Sequence, residues 1–168
     1  MNRSVRQYIG IIAAIIIYYI IHEGAHLLVA FYYGVFKQIN FMGLGVQVDV
    51  YNTLMTDSQM GIFCLAGAIA TLVCSWLLII FCKPICSVKS KVFRTIAWYT
   101  SLVMLLLDPL YLSVLCGFFG GGDMNGILLL WQEWNVRAVF AGIGLIHSLI
   151  IIRYLLPKYT KSFSDQDH

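Results

Sequence analysis

Four long apolar runs dominate the 168-residue chain, at about residues 8–33, 61–82, 95–118 and 138–156. A bilayer core takes roughly 20 helical residues. Each run therefore predicts one transmembrane helix, and together they predict an all-α membrane protein of about four spans. The polar stretch after the first run differs in kind. Around Gly43-Leu44-Gly45, the sequence passes into Val46-Gln47-Val48-Asp49-Val50, which alternates apolar and polar residues at the period of a strand. This predicts a short β-hairpin-like segment lying at the membrane surface or re-entering it. Ala66-Gly67-Ala68-Ile69-Ala70-Thr71 in the second run is a small-residue patch that permits close helix contact. Pro84 breaks the chain after the second run. Pro157 is expected to end the fourth, with a frayed polar tail beyond it. The strongest breaker is Gly120-Gly121-Gly122-Asp123-Met124-Asn125-Gly126, which predicts a broken helix, with Asp123 at the start of its second half.

Composition supports one multi-pass domain over residues 1–168. The chain is 60% hydrophobic and 11% charged, against about half and a quarter for a soluble domain. Its formal charge of +3 is too small and too scattered to suggest nucleic acid. The five cysteines lie mostly in apolar runs, and their odd count argues against a disulfide scaffold. Cys82 and Cys86 have a metal-pair spacing, but no second pair matches them. The N-terminal run after Arg3 and Arg6 is too long for a signal peptide and has no small-residue cleavage site, so it reads as an uncleaved anchor. Arg3, Arg6, Lys83, Lys89, Lys91, Arg94, Arg153, Lys158 and Lys161 fall on one side of the four spans, and Lys37 and Arg137 on the other. The positive-inside tendency then makes both termini and the 83–94 loop cytoplasmic. The expected location is the cell membrane of a bacterium.

The candidate chemistry lies in the first run. His22-Glu23-Gly24-Ala25-His26 is an H-E-x-x-H sequence. On a helix, residues four apart share a face, so His22 and His26 can grip one zinc ion with Glu23 beside them as general base. Polar residues at the bilayer centre cost about 2.5–3.5 kcal/mol each on insertion scales, which favours metal binding over a chance pair of packing histidines. No basic residue in the apolar part of this run could pair with Glu23. A catalytic zinc takes three protein ligands, so a third must come from elsewhere. His147 reads first as a helix-packing residue, and His168 as incidental. Asp123 sits in the Gly-rich break, where irregular backbone is tolerated if it lines a cavity. Asp108 lies within the third run beside Pro109, and an intramembrane aspartate is a functional candidate by default. At about 1.5 Å of rise per residue, Asp108 matches the depth of His22, whereas Asp123 would have to dip back into the membrane. The two aspartates remain rivals on these grounds.

These motifs resemble those of the site-2 protease family of intramembrane zinc metalloproteases. The resemblance runs from about Tyr8 to Leu130 and is most specific at HEGAH. Gly43-Leu44-Gly45 resembles the family's membrane-associated β-hairpin. Ala66-Gly67 is similar to the start of its A-G-P-x-x-N motif, with Ala68 in place of the Pro and Thr71 in place of the Asn. The family's third zinc ligand is an Asp at the start of a later helix, and the resemblance assigns that place to Asp123 rather than Asp108. Asp108-Pro109 then resembles the preceding Asn/Pro element that helps to position substrate. The topology read from the charges puts the site nearer the outer face than in many such proteins.

The leading expectation is thus a zinc endopeptidase acting on a membrane protein or membrane-adjacent peptide in the lipid bilayer, with a regulatory membrane partner as a further candidate. Glu23 would be catalytic, and His22, His26 and Asp123 (rival Asp108) would hold the metal. The 43–50 stretch could hold an extended substrate by strand addition. The alternative is a non-catalytic metal-binding membrane scaffold or partner subunit, although a purely structural site would not need Glu23. A small transporter would need a second broken helix, and only one Gly-rich break is present.

Overall fold

A computed structural model describes residues 2–42, 45–118 and 122–164 of the chain. Gly43, Leu44, Gly120, Gly121 and His168, which the sequence singles out, lie outside the described residues.

The first helix, α1 (Arg3–Tyr32), buries Gly10, Ala14, Tyr18, His22, His26 and Ala30. These are six positions in one row at a spacing of four, which is one face of a helix. Ile12, Ile16, Ile20 and Leu28 point outward and are more than half exposed. Small and polar residues therefore face the protein and branched apolar ones face outward, as a lipid-embedded helix requires.

An antiparallel hairpin follows, β1 (Phe36–Met42) and β2 (Gly45–Val50), paired from Phe36–Val50 to Met42–Gly45 with an irregularity at Lys37. The alternation in the sequence sorts the faces: Val48 and Val50 are buried while Gln47 is exposed. Lys37 pairs with Asp49 at 2.9 Å across the strands and holds the Asp49 carboxyl below its usual range.

Helix α2 (Asp57–Ile80) starts at a capping box, in which the Thr56 hydroxyl accepts from Gln59 N–H and the Gln59 side chain accepts from Thr56 N–H. The short helix α3 (Cys82–Ser87) turns the chain into α4 (Lys91–Ser113), which carries Pro109 inside it. After a 3₁₀ turn at Leu115–Gly117 comes α5 (Gly122–Ile127), then α6 (Glu133–Ile150). Among the described residues, four helices are long and apolar enough to cross a membrane, the last running from Glu133 to Ser164.

Two expectations about the fourth run are corrected. Pro157 does not end it, and residues 158–164 are not frayed. A π-helical turn over Ile151–Leu155 precedes α7 (Leu156–Ser164), so Pro157 sits near the start of α7. The wider turn accommodates a residue that has no N–H to give. The α7 segment then docks: Tyr159 is 2% exposed and packs on Trp98 at a ring separation of 5.0 Å. The third run also ends earlier than its hydropathy suggests, at Ser113.

His147 on α6 has a packing role tied to Pro109. Proline lacks an N–H, so the carbonyl four residues back, at Leu105, loses its helical partner. His147 Nδ1 donates to that carbonyl at 2.8 Å. The imidazole thereby satisfies a backbone group that water cannot reach.

Candidate metal centre

His22 and His26 stand one turn apart on the inner row of α1, both under 10% exposed. Gly67 of α2 lies directly against them: a Cβ there would sit 2.6 Å from the Nε2 atoms of both rings. Only glycine fits, and the small-residue patch has this local purpose as well as close helix packing. Both Nε2 atoms consequently converge on one space.

Asp123 closes that space. Its Oδ2 lies 3.1 Å from His22 Nε2 and its Oδ1 lies 3.6 Å from His26 Nε2. It reaches this depth because α5 folds back onto α2. Met124 and Ile127 are buried in the core there, and Gly126 packs tightly against Cys64 and the Met60 carbonyl. Burial of those two apolar side chains draws the chain inward, and their neighbour Asp123 comes with them.

Asp108 approaches His22 from the other edge of the ring. Its Oδ1 lies 3.4 Å from His22 Nδ1 and accepts from the Tyr18 hydroxyl at 2.5 Å. That hydroxyl oxygen is itself 3.2 Å from His22 Nδ1. Thr71 donates to the second Asp108 oxygen. Asp108 is 2% exposed and engaged on both oxygens, whereas the Asp123 side chain keeps 26% of its surface open. The depth match with Asp108 and the inward dip of Asp123 therefore both occur, on different nitrogens of one imidazole. His26 is oriented similarly: its Nδ1 donates to the Phe63 carbonyl at 2.7 Å, which leaves the Nε2 lone pair available.

Glu23 lies on the hairpin side. Its Oε2 accepts from the Val48 N–H at 3.0 Å, and the donor atoms of His22, Glu23 and His26 fall within 4.8 Å of one another. Because the Val48 N–H turns away from β1, antiparallel alternation turns the Val46 N–H and C=O to the same open edge of β2. That edge lines a cavity of about 730 Å³ together with His22, Glu23, His26, Asp108 and Asp123.

The donor set could hold a metal ion, and its spacing is compatible with tetrahedral coordination. Tetrahedral ligands about 2.0–2.1 Å from a metal stand about 3.3 Å apart, and the two nitrogen–oxygen separations bracket that value. Two imidazoles and one carboxylate leave a fourth tetrahedral position open. Each imidazole is also oriented from its far nitrogen, as metal-binding histidines are.

Sequence reasoning missed Tyr18 and the parts played by Thr71 and Gly67. Tyr18 had a readable signal, one turn before His22 on the same row. Thr71 stands four residues after Gly67, on the same face of α2. The link from Val48 to Glu23 had none, since a backbone N–H carries no residue signature. Cys82 and Cys86 have thiols 3.9 Å apart, and among the described residues no further metal-binding side chain joins them. Comparison with protein-family models, curated proteins and solved structures gave no match for this chain.

Proposed function

We propose that this chain is an intramembrane zinc metalloprotease of the site-2 protease type. It would cleave a peptide bond in a membrane-spanning or membrane-adjacent protein. The observation that carries this reading is the meeting of His22 Nε2, His26 Nε2 and the Asp123 carboxylate, with Glu23 held beside them in a cavity bordered by an open strand edge.

His22, His26 and Asp123 would hold the metal, while Asp108, through Tyr18 and its own contact with Nδ1, orients His22. A zinc ion bound there would supply Lewis-acid polarisation and ease the deprotonation of water near neutral pH. Glu23 takes the proton as the water oxygen bonds to the scissile carbonyl carbon. It then returns that proton to the amide nitrogen as the C–N bond breaks. The Val48 N–H keeps the Glu23 carboxylate turned toward the cavity. A transmembrane helix hides its peptide bonds in its own hydrogen bonding, so the substrate must be held extended. The Val46 N–H and C=O on the β2 edge suit that by strand addition.

The scaffold alternative predicts bound zinc without proteolysis. A structural site has no use for a carboxylate anchored by a backbone N–H on the open side. The test compares new peptide termini in membranes of cells expressing wild type or Glu23→Gln. Loss of the cleavage products, by about 10²–10⁴-fold for a missing general base, with zinc retained, is expected. Equal cleavage by the two proteins would overturn the proposal.

A further inference from the structure

The short helix between the second and third candidate spans carries two thiols at helical spacing. Cys82 and Cys86 stand four residues apart on α3, so both side chains share a face. Their sulfurs lie 3.9 Å apart. Both are free thiols; Cys82 is fully buried and Cys86 is half-buried. Cys82 anchors the pair in a core formed with Ala97, Leu105, Leu155 and Tyr159, while Cys86 gives it access to solvent.

Two groups on α7 address these sulfurs as if they were anionic. The Tyr159 hydroxyl is buried and has no hydrogen-bond partner among the described residues. Ser101 beside it donates to the Ala97 carbonyl instead. Leaving such a hydroxyl unpaired costs about 1–3 kcal/mol. Both thiols lie within its electrostatic reach. A neutral thiol is a weak acceptor, whereas an ionised sulfur accepts strongly. The Lys158 ammonium, one residue before Tyr159, also favours negative charge on Cys82. A donor and a cation thus face sulfurs that become anionic when a metal ion displaces their protons.

The number of ligands selects the ion. Thiolate sulfur suits soft ions such as Cu(I) and zinc. Zinc takes four ligands, and among the described residues no further metal-binding side chain joins this pair. Cu(I) is satisfied by two thiolates. Metal–sulfur bonds of about 2.3 Å place two sulfurs about 3.8 Å apart at the tetrahedral angle and about 4.6 Å apart in line. The observed 3.9 Å lies between these limits, so a small side-chain rotation brings both sulfurs onto one ion.

We propose that Cys82 and Cys86 bind one Cu(I) ion as a two-coordinate bis-thiolate site, with Tyr159 donating to a bound sulfur and Lys158 offsetting the charge. Binding releases the two thiol protons to solvent and leaves a single net negative charge on the site; no electron is transferred. The site is independent of the His22–His26 centre and does not rest on the proteolytic reading. The full chain, purified in neutral detergent without oxygen, is titrated with Cu(I) against a coloured Cu(I) chelator, and the bound ion is read by X-ray absorption. Wild type is expected to hold one Cu(I) through two sulfurs. Cys82→Ser and Cys86→Ser should each lose that two-sulfur signature, and Cys74→Ser on α2 should keep it. Tyr159→Phe retains both ligands and should weaken affinity by about 10–100-fold, the range for outer partners of metal ligands. A two-sulfur signature that survives Cys86→Ser would overturn the proposal, as would its absence from wild type. Zinc lost on Cys86→Ser with Cu(I) uptake unchanged would overturn the choice of ion. Unchanged Cu(I) affinity in Tyr159→Phe would overturn the part given to Tyr159.

Discussion

Asp108 and Asp123 are both aspartates in apolar sequence, and they meet the same imidazole on opposite nitrogens. Asp108 is sealed between α1, α2 and α4 with both oxygens engaged by Tyr18 and Thr71. Asp123 stands at the mouth of the cavity, with its oxygens turned to the two Nε2 atoms. A sealed carboxylate can fix the pose and basicity of a ligand. An open one can be a ligand. Depth along the bilayer does not separate the two aspartates; the ring edge that each one faces does.

The contrast breaks most decisively at Asp123. Asp123→Ala leaves two protein ligands where a catalytic zinc takes three, and zinc measured in the purified protein should fall to background. If Asp123→Ala kept its zinc and Asp108→Ala lost it, the roles would be reversed. Gly67→Ala comes next, because its Cβ would displace both Nε2 atoms. Zinc content should fall sharply while the helical circular-dichroism signal persists, since alanine is the better helix former. Asp108→Asn should weaken zinc by about 10–100-fold, the range seen when outer partners of metal ligands are removed, as read by competition with a chelator. The smallest effect is expected from Tyr18→Phe. It removes one of the donors to Asp108 and one hydrogen bond of about 0.5–1.5 kcal/mol, so affinity should fall only severalfold.

Much of this was legible in the chain. Hydropathy located four spans, and the alternation at residues 46–50 marked a strand. The spacing of His22 and His26 gave the shared face, and extending that spacing to Gly10, Ala14, Tyr18 and Ala30 would have delivered the whole inner row of α1. What could not be read is what depends on long-range packing. The place of Asp123 follows from how Met124 and Ile127 bury against α2. The orientation of Glu23 rests on a main-chain N–H. Pro157 misled because a proline signals a helix end only when the preceding turns are regular, and here a π turn absorbs it.

The bond from His147 to the Leu105 carbonyl makes His147 depend on Pro109, but not the reverse. Changing His147 alone strands a carbonyl among apolar side chains, at about 1–3 kcal/mol. Changing Pro109 alone restores a backbone donor to a carbonyl whose two lone pairs can serve both it and the imidazole. Changing both, to alanine and leucine, removes the need together with its remedy. The order of change therefore matters: histidine can be lost cheaply only after proline, so a relative with proline but no histidine at these positions should be rarer than one with histidine but no proline.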